Sequence, residues 1–107
     1  MIQNVKINIV GVTFKNDDGT SRQDIIKKLD NNSIIFLERE PNNKYDKNAI
    51  KVCSLLGQIG YIGKDYAEII SKMIDNDNKI FSASISNIGK YKDIYNLSII
   101  INENINE

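Results

Sequence analysis

The stretch Arg39-Glu-Pro-Asn-Asn-Lys-Tyr-Asp-Lys-Asn-Ala-Ile-Lys-Val52 decides how this chain is read. It contains Pro41, the sole proline, set between two apolar runs. Proline fixes its own backbone angle, lacks a donor and pushes Glu40 toward extended geometry, so a preceding strand should stop there. Asn42, Asn43, Asp46 and Asn48 favour turns, because their short polar side chains bond nearby backbone groups. By local chemistry alone this is a well-built loop between two strands. It also holds Tyr45, whose polar surroundings give it no reason to be core.

Outward from that loop the pattern is regular. Val5, Ile7 and Ile9 alternate with polar residues, the period-2 signal of a half-buried strand. Gly11 interrupts it, as a bulge or close backbone approach would. Lys15 to Thr20 reads as a polar turn around Asp18-Gly19. Thr20 or Ser21 can cap a short helix carrying Ile25, Ile26 and Leu29, with Asp24 placed as in a capping box. Asp30 to Ser33 is a turn, and the apolar run Ile34 to Leu37 is expected to be a strand covered on both faces. Ile50 and Val52 begin a strand that returns through a hairpin at Gly57 to Ile62. Tyr66, Ile69, Ile70, Met73 and Ile74 recur at helical spacing and are expected to form a core-facing stripe. Phe81 to Ile85 and Leu97 to Ile101 are two further strands, and residues 102–107 read as a polar, frayed tail. The order β-α-β-β-β-α-β-β predicts an α+β fold, a small β-barrel of about six strands with two helices.

Composition narrows the chemistry. The 107 residues suit one domain that buries roughly two-thirds of its unfolded surface. Lys+Arg and Asp+Glu are equal at 14 each, so no global basic field supports indiscriminate phosphate binding, though a local site is compatible. There is no histidine and only one cysteine, Cys53. A histidine base and a zinc site are therefore disfavoured, and neither metal nor cofactor is expected. Cys53 cannot form an internal disulfide and reads as a small buried hydrophobe. Without a signal peptide or a run of about 20 apolar residues, the expectation is a cytoplasmic protein with no membrane partner. The weight of isoleucine, asparagine and lysine fits an AT-rich bacterial or phage genome.

Four segments and one arginine together carry a family resemblance. Val10-Gly-Val-Thr-Phe14 and Arg22 precede Leu37 to Val52, and Gly57-Gln-Ile-Gly-Tyr-Ile62 and Lys64 to Ile70 follow it. In order and spacing this resembles the HIRAN domain, best known from the N-terminus of Swi/Snf-type helicases and found also in short bacterial proteins. The likeness spans roughly residues 5 to 100. It implies a modified OB-like or SH3-like barrel that captures the 3′ end of single-stranded DNA, in DNA repair or replication-fork processing, beside a helicase or nuclease partner.

Carried over residue by residue, the resemblance implies that Phe14 and Tyr45 flank terminal nucleotides and that Asp46 accepts the hydrogen bond of the 3′ hydroxyl. Asn43 is a candidate for phosphate or base-edge contacts, or a plain turn residue. Lys64 would add a cation at a helix start, where free N–H groups also favour phosphate. Tyr61 either lines the groove or belongs to the core. Thr13 stands where helicase members carry an arginine, which implies one phosphate contact fewer. The family's late aromatic has no clear counterpart; Ile88 or Tyr91 lies in that region.

Two other function classes compete. Glu38, Glu40, Asp46 and Lys51 resemble the carboxylate and lysine set of a metal nuclease, but Arg39 to Asn48 already belongs to the HIRAN pattern and no further acidic strand-end residue supplies the second ligand at recognisable spacing, so no enzyme activity is expected. A protein-interaction barrel anchored by Phe14 and Tyr45 is the alternative, since aromatics are enriched at such interfaces as well.

Overall fold

In the computed structural model, which describes residues 1–105, strand β1 (Val5–Val10) serves two partners. Its first part, Val5 to Asn8, pairs with β6 (Ile94–Glu103), whereas Ile9 and Val10 pair with Ile62 and Tyr61 of β4 (Gly57–Ile62). Adding β2 (Ile35–Arg39), β3 (Ile50–Ser54) and β5 (Phe81–Tyr91) gives one antiparallel sheet in the order β2-β3-β4-β1-β6-β5. Register shifts at Val52/Cys53 and Ile85/Asn87 are bulges, which bend a sheet and increase its twist. The outer strands β2 and β5 approach without pairing, so the sheet curls into a half-barrel.

Two helices cover it. α1 (Arg22–Lys27) is capped by Ser21, whose hydroxyl accepts the Asp24 N–H at 3.2 Å. Leu29 lies past its end but still packs on the core. α2 (Lys64–Asp77) starts at Gly63 without a side-chain cap and ends at Asn78 in the left-handed region. The core is aliphatic, with Ile26, Ile50, Ile59, Ile70, Ile99 and Ile101 at 0 % exposure. Truncating any of these to alanine costs about 2–5 kcal/mol. Cys53 is buried beside Glu38, and burial followed by that carboxylate pushes its thiol up to about 11.

Three expectations are corrected. The run from Ile34 to Leu37 is not covered on both faces: β2 is an edge strand, and Ile34 and Phe36 are exposed. A continuous apolar run cannot distinguish a central strand from an edge strand with one apolar face in water. In α2 the buried line is Ala67, Ile70 and Ser71, with Ile74 packed beside it, so the helix is rotated from the expected stripe. Tyr66 and Ile69 are exposed, because they fall outside the helix face on which Ala67, Ile70 and Ser71 are buried. The polar tail is shorter than expected. Asn102 and Glu103 belong to β6, and Glu103 is buried, with its carboxylate receiving Ile2 N–H at 3.4 Å and Lys79 Nζ at 3.6 Å. Of the expected tail, residues 106–107 lie outside the described residues.

Candidate nucleic-acid interface

The β2–β3 connection is a closed loop built by the residues that make its sequence distinctive. Glu40 N–H donates to the Ala49 carbonyl at 2.9 Å, and the Glu40 carbonyl accepts Asn43 N–H at 3.2 Å across Pro41 and Asn42. Proline suits the second position of that turn because its angle is preset. Asn43 Oδ1 then accepts the N–H groups of Tyr45 and Asp46 at 2.8 and 2.9 Å. Asp46 Oδ1 accepts Asn48 N–H at 2.9 Å, and the Asp46 carbonyl accepts Ala49 N–H at 3.0 Å. With the loop held by these internal bonds, Tyr45 projects outward at 86 % exposure, with Lys44 Nζ 5.1 Å from its ring centroid.

Beneath the loop lies a polar cluster centred on Glu40. Sheet register sets Tyr61 between Val10 and Lys51. Glu40 Oε1 receives the Tyr61 hydroxyl at 2.8 Å and the Asn43 amide, and Oε2 receives Lys51 Nζ at 3.0 Å. Burial alone would raise the Glu40 carboxyl, but the bonds from Asn43, Lys51 and Tyr61 outweigh it and hold the group below its ordinary value. Burial, reinforced by the bond to Glu40, raises Tyr61, while the bond to Glu40 raises Lys51. The carboxylate that in sequence resembles a nuclease ligand is thus occupied in holding the loop to the sheet, and no group of three or more metal-binding side chains assembles among the described residues.

On the other side, Gly11 adopts φ +71° and ends β1 in a turn to Phe14, which is 67 % exposed. The 11–14 turn, the 40–49 loop, the end of β4 and the start of α2 enclose a cleft of about 940 Å³. Phe14, Asn43, Tyr45, Asp46, Tyr61 and Lys64 all line it. Thr13 does not line it. Both ends of the Asn43 amide are engaged within the protein, the Nδ2 group also lying 3.4 Å from the Tyr61 hydroxyl, so Asn43 builds the loop. Tyr61 is a half-buried wall rather than core. Asp46 keeps the turn role open to it, while its Oδ2 takes no hydrogen bond from the described residues. At the start of α2 the first intrahelical bond runs from Ala67 N–H to Gly63, leaving the preceding N–H groups of the helix beside Lys64. Ile88 packs on the core and Tyr91 stands at the β5–β6 hairpin, and neither lines the cleft.

Several lining residues were given no role at the site by the sequence, chiefly Lys15, Asp17, Arg22 and Lys44. Lys15 and Asp17 sit in a turn where nothing distinguishes them from solvated charges. Arg22 opens α1 and belongs to the resemblance, but its spacing alone assigns it no contact. Only the glycine at position 11 hinted that something must approach the backbone there.

A sequence model of the HIRAN domain matches residues 2–102. The chain belongs to the HIRAN domain family. Over 49 residues it is 49 % identical to helicase-like transcription factor of Oryctolagus cuniculus, a match covering 45 % of this chain and 5 % of that protein. Over 88 residues it is 33 % identical to the Fanconi-associated nuclease 1 homolog of Arabidopsis thaliana, covering 74 % of this chain and 10 % of that one. This HIRAN domain therefore spans only a small part of the curated relatives it matches. The crystal structure of the HIRAN domain of human HLTF superposes with a TM-score of 0.66 at 26 % identity, covering 92 % of this chain and 74 % of that one. The NMR structure of the HLTF HIRAN domain in its DNA-bound conformation gives 0.61 at 25 % identity over the same shares. A Lactobacillus plantarum protein gives 0.76 at 21 % identity, covering 94 % of this chain and 91 % of that one, a likeness of fold.

Proposed function

We propose that this HIRAN domain binds single-stranded DNA in the cleft and captures its 3′-hydroxyl end, without catalytic chemistry of its own. One observation carries the proposal: two exposed aromatics from separate loops, Phe14 and Tyr45, line the same cleft as Asp46, whose second carboxylate oxygen has no donor among the described residues. Aromatic faces stack bases at about 1–3 kcal/mol each, whatever the sequence. A free acceptor beside a terminal hydroxyl favours an end, because a phosphate in that place would meet like charge. The lining holds four cations, Lys15, Arg22, Lys44 and Lys64, against Asp17, Glu40 and Asp46, and Glu40 is already matched by Lys51. The cleft is thus locally cationic on a neutral protein.

A similar HIRAN domain is known in a DNA-bound conformation, which supports DNA as the ligand class. The helicase-like and nuclease relatives support a place in DNA repair or fork processing, beside a partner helicase or nuclease. Fluorescence anisotropy with labelled single strands, a matching duplex and a strand with a blocked 3′ end tests the proposal. Single strands with a free 3′ end should bind most tightly. Failure of every strand to bind would leave Phe14 and Tyr45 as anchors for a protein partner.

A further inference from the structure

Arg22 is 7 % exposed and lines the cleft, yet no carboxylate among the described residues lies within salt-bridge distance of it. Its guanidinium is held by neutral groups: Nε–H donates to Asn16 Oδ1 at 2.8 Å and Nη1–H to the Gly11 carbonyl at 2.8 Å. The plane lies against Tyr61, with 5.3 Å from the guanidinium carbon to the ring centroid. Removing a cation from water is expensive unless an anion compensates it. Elsewhere the chain follows that rule: Arg39 makes a two-point pair with Asp75, and the buried Glu103 meets Lys79. Arg22 departs from it at the wall of the cleft.

The open side of the group is defined. Nη2 bonds to none of the described residues, and no enclosed side-chain nitrogen or oxygen among them lacks a partner. Nη2 is therefore not fully enclosed, on a side chain that lines the cleft. The backbone is shaped for this placement, since a Cβ at Gly11 would sit 3.2 Å from Nη1 and the φ of +71° would strain any side chain. Glu40, a carboxylate that lines the same cleft, is engaged with Lys51, Tyr61 and Asn43 instead.

We propose that Arg22 anchors a phosphodiester of the bound strand, with the free edge of its guanidinium taking the non-bridging oxygens. This rests on the single-strand reading of the cleft. A planar guanidinium suits two-point recognition of phosphate, and here its orientation is fixed before the ligand arrives. With Phe14 and Tyr45 lining the same cleft as base-stacking faces, the linkage near those bases passes Arg22.

The chain contains only two arginines, Arg22 and Arg39, so the side-chain Nε–H region of a ¹⁵N spectrum holds two signals. Titration of the wild-type protein with a short oligothymidylate ending in a 3′ hydroxyl should move the Arg22 signal and leave Arg39, held by Asp75, in place. Replacing one phosphodiester near the 3′ end by an uncharged methylphosphonate should weaken binding roughly tenfold or more at a single linkage. Arg22→Lys should lose affinity by a similar factor and lose sensitivity to that linkage. Inorganic phosphate should move the signal only at far higher concentration than the strand. The wild-type titration and linkage scan decide the matter even where Arg22→Lys fails to fold. A strand that binds without moving Arg22, or with equal loss at every linkage, overturns the anchor alone. Equal affinity for inorganic phosphate makes the site one for a small anion, which also overturns it. Absence of any strand binding by anisotropy overturns the parent proposal, and the anchor with it.

Discussion

The side-chain oxygen of Asn43 accepts the backbone N–H of Asp46 at 2.9 Å, so the residue that shapes the β2–β3 loop also sets where the Asp46 carboxylate stands. The same oxygen holds Tyr45 N–H. One asparagine thereby positions a stacking face and an acceptor together.

Asn43→Ala removes that acceptor and the donor to Glu40. The expected loss of stability is about 1–2 kcal/mol, because water replaces part of what the amide supplied. Binding of single strands should fall more than stability does, since Tyr45 and Asp46 lose their fixed positions. Thermal unfolding and anisotropy on one preparation check both. Full affinity in the variant would mean that the loop keeps its shape without Asn43.

Phe14 and Tyr45 are largely exposed, so truncating either should leave stability within about 0.5 kcal/mol. Strand affinity should nevertheless drop by about 1–3 kcal/mol for each. The loss should be the same for 3′-hydroxyl and 3′-phosphate strands, because stacking does not sense the terminus. An unfolding shift of several degrees on Phe14→Ala would instead make that ring part of the core.

Glu40 gives the domain an acid sensitivity of known sign. Its carboxyl is held below the ordinary value of 4.5, so the charged form is favoured in the folded state. That contribution is present above pH 4.5 and is lost as pH falls through the lower folded value. Glu40→Gln should flatten this part of the stability profile while lowering stability at neutral pH, where Lys51 and Tyr61 lose a charged partner. A variant with an unchanged acid limb would place the titration elsewhere.

Much of this arrangement was legible in the sequence because local chemistry and final structure agree. Pro41, Asn43, Asp46 and Asn48 read as turn formers and form turns. Ser21 reads as a cap and caps α1. What stayed hidden depended on long-range placement. Ile34 and Phe36 look like a buried strand until the sheet order puts β2 at an edge. Tyr66 and Ile69 look like core until Ala67 and Ser71 take the contact face of α2. Glu103 looks like tail until β6 pairs Ile101 with Val5 and brings the buried carboxylate to Ile2 and Lys79. Arg22 shows its unmatched charge only once its neighbours are known.

The most direct test of end capture is Asp46→Asn, measured against strands ending in a 3′ hydroxyl and in a 3′ phosphate. The amide keeps the acceptor that holds Asn48 N–H but removes the charge. A hydrogen bond to a charged group contributes about 1.5–3 kcal/mol, so affinity for the hydroxyl end should fall roughly ten- to hundredfold. The penalty against the phosphate end should shrink at the same time, as the like-charge repulsion is gone. A folded variant that discriminates between the two ends as well as the wild type does would contradict end capture and leave Asp46 as a turn former.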